Sequence, residues 1–157
     1  MNAAELAAYL HDRIPLSRAM QVEVRVATPD GVTLFAPLAP NINHRDTVFG
    51  GSASALAILA AWSALLVRLK DAALDGRIVI QRNTVHYERP MAAAFTASAS
   101  VPDGASWERL LAAIGRGRPG RIRIHSVLEC EGTPCGDLEG EFVVLPPATA
   151  TAPRSPA

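Results

Sequence analysis

One stretch constrains this chain more than any other: from Thr47 to Val67 there is not a single charged residue. Such a run is long enough to meet the roughly 18-residue requirement of a membrane-spanning helix. Gly50-Gly51 in its first turns and Ser52, Ser54 and Ser63 along it argue instead for a helix buried inside a soluble protein. From Ala53 onward, Leu56, Ile58, Leu59, Trp62, Leu65, Leu66 and Leu69 leave no polar face of any width. A helix of this kind, predicted over about residues 50–73, must be covered on nearly all sides. Another helix is too narrow to do that, whereas a curved sheet is not.

The remaining segments supply the sheet. Val22, Val24 and Val26 alternate with Gln21, Glu23 and Arg25, the period of a half-buried strand. Pro29-Asp30-Gly31 is turn chemistry, and Val32 to Leu38 returns as the second arm of a hairpin. Beyond Gly76 four strands are predicted, Ile78–Tyr87, Phe95–Val101, Ile122–Cys130 and Leu138–Leu145. In the second of these, Phe95, Ala97, Ala99 and Val101 form a dry face against Thr96, Ser98 and Ser100. Ser106 to Ile114, carrying Trp107, Leu110 and Leu111, reads as a helical turn ended by Gly115. At the start of the chain, Asn2 and Glu5 have capping-box spacing, which predicts a short helix over 2–13 that stops at Ile14-Pro15.

These elements assemble into an α+β hotdog: a curved antiparallel sheet wrapped around one long apolar helix, in a single domain over residues 1–145. The Pro-, Ala-, Ser- and Thr-rich tail, 146–157, is expected to be disordered. A wrapped sheet leaves a long strand at its edge, and unpaired edges invite pairing, so a homodimer joined edge to edge is expected, with further pairing to a tetramer left open.

The composition narrows the function classes. A formal net charge of zero argues against nucleic-acid binding. The opening residues lack the basic start and apolar stretch of a signal peptide, so a cytoplasmic location, away from any membrane, is expected. Cys130 and Cys135 are the only cysteines, and neither an HExxH motif nor paired CxxC motifs stand with them, so no metal or other cofactor is expected. They flank a Glu-Gly-Thr-Pro turn, could face each other across a hairpin, and read as reduced thiols.

The segment PLAPNINHRDTVFGGSASALAILAAW, ending at Trp62, resembles the signature of a hotdog family labelled "putative thioesterase", some of whose members are malonyl-acyl-carrier-protein decarboxylases. The resemblance extends more weakly through His86-Tyr87-Glu88-Arg89-Pro90, Gly115-Arg116-Gly117-Arg118 and Gly140 to Val144, and covers most of residues 15–145. Members occur alone or fused behind an acetyltransferase domain, and this chain, with its short lead-in, resembles the stand-alone form. The resemblance implies an acyl-CoA or acyl-carrier-protein substrate whose carbonyl sits at the first turn of the central helix. There, unpaired N–H groups and the helix dipole favour developing negative charge.

Gly50-Gly51 suits that place, because glycine lets a substrate approach the backbone closely. The plain alternative is a glycine turn that only packs helix against strand. Hydrolysis needs a base to activate water, and thioesterases of this layout resemble one another in carrying a carboxylate two to three turns into the helix or in the loop before it. Here the helix positions are Ala57, Ile58, Leu59, Ala60 and Ala61, which leaves Asp46 in the loop as the candidate base, or as a solvated neighbour of Arg45.

Decarboxylation of a malonyl thioester needs no activated water, only stabilisation of the enolate oxygen by neutral donors. Asn43 offers an amide N–H₂ and Ser52 a hydroxyl, and the resemblance implies the same Asn and Ser positions. Their structural alternatives are turn stabilisation for Asn43 and an N-cap for Ser52. His44 is a further candidate donor to a thioester or malonyl oxygen. Asn41, Phe49, Gly50 and Tyr87 are the candidate substrate-binding residues around this point, although Asn41, after a proline, also has the position of a loop-shaping residue. Arg116 and Arg118, close to Arg121 and Arg123, could meet the phosphates of coenzyme A or an acidic carrier protein. His11, His86 and His125 show no evident partners and read as strand and surface residues. The expected function is malonyl-thioester decarboxylation, against two alternatives: an acyl thioesterase using Asp46, and a non-catalytic acyl-binding module.

Overall fold

The computed structural model describes residues 1–146. The predicted disordered tail lies, from residue 147 on, outside the described residues. Helix α1, Ala3–Arg13, begins with the predicted capping box: the Asn2 side chain accepts from the Glu5 amide at 3.0 Å, and the Asn2 amide donates to Glu5 Oε2 at 2.9 Å. Leu6 and Leu10 bury its apolar stripe. Helix α1 stops at Ile14, but Pro15 is not followed directly by a strand. It opens a second short helix, α2, Pro15–Ala19, at whose first turn the missing N–H costs nothing.

Six antiparallel strands form one sheet: β1 Glu23–Thr28, β2 Gly31–Ala36, β3 Arg77–Tyr87, β4 Phe95–Ala99, β5 Gly120–Cys130 and β6 Thr133–Leu145. Their spatial order is β1-β2-β4-β5-β6-β3, so the long strand β3 lies at an edge. Helix α3, Gly50–Asp71, is the long apolar helix, and α4, Ala105–Gly115, precedes β5. A 3-10 turn, Ala39–Asn41, leads out of β2. By length and composition α3 could cross a membrane, but Ala53, Leu56, Ala57, Ala60, Ala61 and Leu65 are each fully buried against the sheet and its loops. Its packing partners are the inward-facing residues of the strands, among them Leu34, Phe95, Ala97, Ile124, Leu128 and Phe142, and this layer of helix inside sheet is the hydrophobic core.

The α3 surface is covered less completely than the sequence suggested. Ser54, Ala55, Ile58, Leu59 and Trp62 fall at helical spacing on one face and are half-buried. That face runs alongside β3: the Trp62 indole donates to the Ile78 carbonyl at 3.3 Å, and the Tyr87 hydroxyl donates to the Gly50 carbonyl at 2.9 Å. The helix and the edge strand are thereby tied at two points along their length, with Tyr87 at the helix start.

Three side-chain expectations are corrected. In β1 the pairing to β2 carries a bulge at Arg25, so Val24 opposes Leu34 while Val26 opposes Thr33 and turns outward, 44% exposed. Ala27 takes the inner place instead, opposite buried Val32, and Arg25 lies over the Phe35 ring at 4.3 Å. Cys130 does not face Cys135: it pairs with Thr133, while Cys135 sits at the β6 irregularity and its thiol contacts the Thr133 carbonyl at 3.3 Å. Both cysteines are buried and unbridged. The histidines do have partners. His125 Nε2 lies 3.0 Å and His86 Nδ1 3.3 Å from the two carboxylate oxygens of Asp137, across three adjacent strands, and His11 Nε2 lies 2.8 Å from the Val22 carbonyl.

Candidate active site

The loop before α3 is a closed turn built by Asn43. Ile42 and Val48 bridge its base, and the Asn43 amide donates to the Thr47 carbonyl at 2.8 Å. The Asn43 side-chain oxygen accepts from the Arg45 amide at 2.7 Å and the Thr47 amide at 3.3 Å. Its side-chain nitrogen donates to Thr47 Oγ1 at 3.0 Å and, at a longer 3.3 Å, to the Val48 carbonyl. Asn43 is thus directed inward, beside the residue that precedes the helix cap, with both amide ends engaged in turn stabilisation. At the tip, Asp46 holds a left-handed backbone with φ of 58°. His44, Arg45 and Asp46 are exposed there, without side-chain hydrogen bonds or ion pairs among the described residues.

Asn41 lies deeper, at 1% exposure, and its side-chain N–H₂ is spent on the Met20 carbonyl at 3.0 Å and the Pro37 carbonyl at 2.8 Å. Its own carbonyl accepts the Phe49 amide at 2.7 Å. Asn41 therefore anchors the loop from beneath and reaches a substrate only through Phe49.

The helix start is the chemically open part of this region. Phe49 occupies the N-cap position with φ −62° and ψ 129°, and its side chain has no oxygen to offer. Val48 and Phe49 donate their amides to the Met91 and Asn41 carbonyls, but among the described residues no acceptor meets the N–H groups of Gly50, Gly51 or Ser52. Three aligned donors remain unpaired at the positive end of a 22-residue helix. Ser52 is not the N-cap. It lies three positions further on, half-buried, and its hydroxyl makes no hydrogen bond among the described residues. The Phe49 ring folds over Gly51 so closely that a Cβ there would come within 2.2 Å of Phe49 Cε1. Glycine is therefore needed at 51 for the ring to lie where it does.

Tyr87 closes the other side, with its ring atoms 3.6–3.8 Å from where a Gly50 Cβ would be. Between helix and strand end lies a cleft of about 250 Å³, with Gly50 and Ala53 on one wall and Tyr87, Glu88, Arg89 and Met91 on the other. Glu88, Arg89 and Met91 were not among the candidate site residues, although Glu88 and Arg89 lie in a stretch that carries the weaker resemblance. Pro90 held the signal: a proline ends the strand pattern, so the residues just before it must lie at the rim.

The structure brings Phe49, Gly50, Gly51, Ser52 and Tyr87 together and places Asn43 immediately behind them. It does not bring Arg116 or Arg118 to this cleft within one chain. β5 begins at Gly120 opposite Val144, which opposes Ile78, whereas Tyr87 opposes Gly136 near the other end of the sheet. Nine residues of strand separate those ends, roughly 30 Å. Nor do the four arginines share a rim: Arg121 reaches Gln81 at 3.3 Å and Arg123 approaches Glu141 at 3.7 Å on the outer face of the sheet. Among the described residues, no group of three or more His, Cys, Asp or Glu is arranged to hold a metal ion.

A family model described as "Putative thioesterase (yiiD_Cterm)" matches residues 3–146. A crystal structure named as a putative thioesterase from Shewanella oneidensis is 29% identical, with a TM-score of 0.83 over 92% of this chain and 97% of that one. A protein of unknown function from Chlorobaculum tepidum is 24% identical, with a TM-score of 0.84 over 92% of this chain and 94% of that one. A thioesterase from Haemophilus influenzae shares the fold at 15% identity, with a TM-score of 0.76 over 97% of this chain and 96% of that one.

Proposed function

We propose, from the premise that the chain belongs to this thioesterase family, that it is an acyl-thioester enzyme whose reaction is decarboxylation of a malonyl thioester, carried on an acyl carrier protein or coenzyme A. The observation that carries the reading is the helix start itself. Three unpartnered N–H groups at Gly50, Gly51 and Ser52, with a free Ser52 hydroxyl, stand where an oxygen gaining negative charge is stabilised, and α3 bears no carboxylate before Asp71. In the reaction the bond between the α-carbon and the carboxylate carbon breaks, its electron pair forms the thioester enolate, and carbon dioxide leaves. A proton from water then converts the enolate to the acetyl thioester.

Backbone N–H groups and the Ser52 hydroxyl meet the enolate oxygen, and Asn43 holds the loop that sets them. Asn43 contributes a donor of its own when the longer bond to Val48, 3.3 Å, is exchanged for one to the substrate. His44 and Asp46, at the loop tip, are close enough in sequence to the helix start to serve as outer contacts. The acetyl product is a primer for fatty acid synthesis.

Edge pairing of β3 with a second copy completes the reading. Val79 at 39% and Tyr87 at 55% exposure lie on that edge strand, and the half-buried Ile58, Leu59 and Trp62 face of α3 runs beside it. An antiparallel β3–β3 contact about a two-fold axis would cover that apolar strip and bring the partner's opposite strand end toward the cleft.

Hydrolysis is the second reading, favoured by two carboxylates near the site: Glu88, which lines the cleft, and Asp46, unpaired at the loop tip. Purified protein supplied with malonyl-carrier protein distinguishes the two. Acetyl thioester with carbon dioxide is expected, and free thiol with malonate would refute decarboxylation. Under hydrolysis, Asp46→Asn or Glu88→Gln abolishes turnover while Asn43→Ala leaves a partial rate. Under decarboxylation the ranking is reversed.

A further inference from the structure

We propose that Tyr87 is a positioning residue that sets the Gly50–Gly51 peptide, so that the Gly51 N–H is presented to the substrate carbonyl oxygen. The inference rests on the reading of the α3 start as the thioester site and adds the group that makes it work. The Gly50 carbonyl and the Gly51 N–H are the two ends of a single planar unit. The Tyr87 hydroxyl donates to that carbonyl at 2.9 Å. A bond at one end of the plane fixes the direction of the other.

The carbonyl of this peptide also accepts in the first turn of the helix ladder, as that of any N1 residue does, so Tyr87 is its second donor. The added donor matters here because the peptide joins two glycines, the residues with the widest backbone freedom, at the helix end most prone to fray. No cap restrains it from the front, since the Phe49 side chain has no acceptor to offer the Gly51 N–H. Tyr87, by contrast, is anchored. It pairs with Gly136 in the β3–β6 ladder, and the next two amides, of Glu88 and Arg89, both donate to the Cys135 carbonyl at 2.9 and 3.1 Å.

The hydrogen bond also acts electronically. A donor on a peptide oxygen polarises the unit and strengthens its N–H, by about 10–30% per bond in a chain of hydrogen bonds. Applied to an oxyanion donor worth about 100- to 1000-fold in rate, that is a factor of about two to eight.

The test uses the sequence. Gly50-Gly51 is the single pair of adjacent glycines in the chain, so protein labelled with carbonyl-¹³C glycine and ¹⁵N glycine gives one carbonyl-to-amide correlation, from this peptide alone. Tyr87→Phe keeps the ring against Gly50 and removes only the donor. In the variant the Gly50 carbonyl ¹³C signal is expected to move upfield. The probe for the occupied site is a coenzyme A ketone in which a methylene replaces the thioester sulfur, so that it binds without turnover. It should move the Gly51 amide proton downfield in the parent protein and less so in Tyr87→Phe. Turnover of the malonyl thioester by Tyr87→Phe should fall about two- to eightfold in kcat with KM unchanged, a split that a merely structural tyrosine would not produce.

An equal ketone-induced shift in both proteins, or an unchanged kcat in the variant, overturns the proposal while leaving the site reading intact. A ketone that binds without moving the Gly51 signal in either protein removes the site reading and the proposal with it.

Discussion

Phe49→Asp separates the stability of the helix start from its function. The backbone at Phe49, φ −62° and ψ 129°, is already that of an N-cap, so an aspartate fits without rearrangement and its carboxylate can accept from Gly51 and Ser52. The ring it replaces is 56% exposed, so its loss forfeits less than half of the about 1.5–3 kcal/mol that full burial of a large apolar side chain supplies. Phe49→Ala carries that same loss without gaining a cap and is the proper reference. A capping side chain is worth about 1 kcal/mol over alanine, and in a chain of this size each kcal/mol moves the melting temperature by about 2–4 °C.

Thermal unfolding of Phe49→Asp should therefore lie about 2–4 °C above that of Phe49→Ala. Activity should move the other way. The carboxylate occupies the donors that would hold the enolate oxygen and adds a negative charge beside it, so kcat should fall by about 100-fold or more relative to Phe49→Ala. Turnover of the malonyl thioester, followed as acetyl thioester formed, measures the second effect. An aspartate variant that gains the stability yet keeps the kcat of Phe49→Ala would show that the N–H groups at the α3 start do not hold the reacting oxygen.

Three further perturbations follow from the same geometry. Gly51→Ala puts a methyl 2.2 Å from Phe49 Cε1, but that ring is a half-exposed side chain able to swing aside; unfolding should shift by no more than about 1 kcal/mol while kcat drops at least tenfold, as calorimetry and turnover would record. Asn41→Ala strips the Met20 and Pro37 carbonyls of their donor in a buried place, at a cost of about 1–3 kcal/mol read by denaturant titration, and its KM should change less than its stability because the side chain is spent within the protein. Gly136→Ala would set a methyl 2.4 Å from the His86 carbonyl, a backbone atom that cannot swing away; it should cost about 1–3 kcal/mol by the same titration and lower kcat by displacing Tyr87.

How far the sequence could be read depended on whether a residue's environment is local or made by distant pairing. The uncharged run gives α3, and period-two alternation gives the strands, because burial of one face is written into consecutive residues. The capping box of α1 was legible for the same reason: Asn2 and Glu5 serve each other across a single turn. The bulge at Arg25 was not, since it exists only in the two-against-one count between β1 and β2, and strand β1 alternates on paper straight through it. The Asp137 contacts to His86 and His125 depend on three strands meeting in one register, and nothing near any of the three residues announces it. The loop asparagines fell between these cases. Their residue type signalled turn chemistry, but that Asn43 spends both ends of its amide inside the turn follows from how the loop closes on Thr47 and Val48.

The contrast between two helix starts carries the functional argument furthest. At α1 the chain meets one first-turn donor, the Glu5 amide, with a side chain three residues away. At α3, a longer helix packed through the core, it places Phe49-Gly50-Gly51, a residue that cannot cap followed by two that weaken a helix. A cap at that point would add about 1 kcal/mol. Helices α2 and α4 also start without a side-chain cap, so the missing cap alone does not mark a site; what sets α3 apart is two glycines opening a long core helix, and local departures of this kind concentrate where binding or chemistry needs the unsatisfied groups. Here the unsatisfied groups are N–H donors at the positive end of a helix dipole, flanked by a cleft and by a tyrosine held on the next strand. What they lack is an acceptor bearing partial negative charge, which a thioester carbonyl acquires on becoming an enolate.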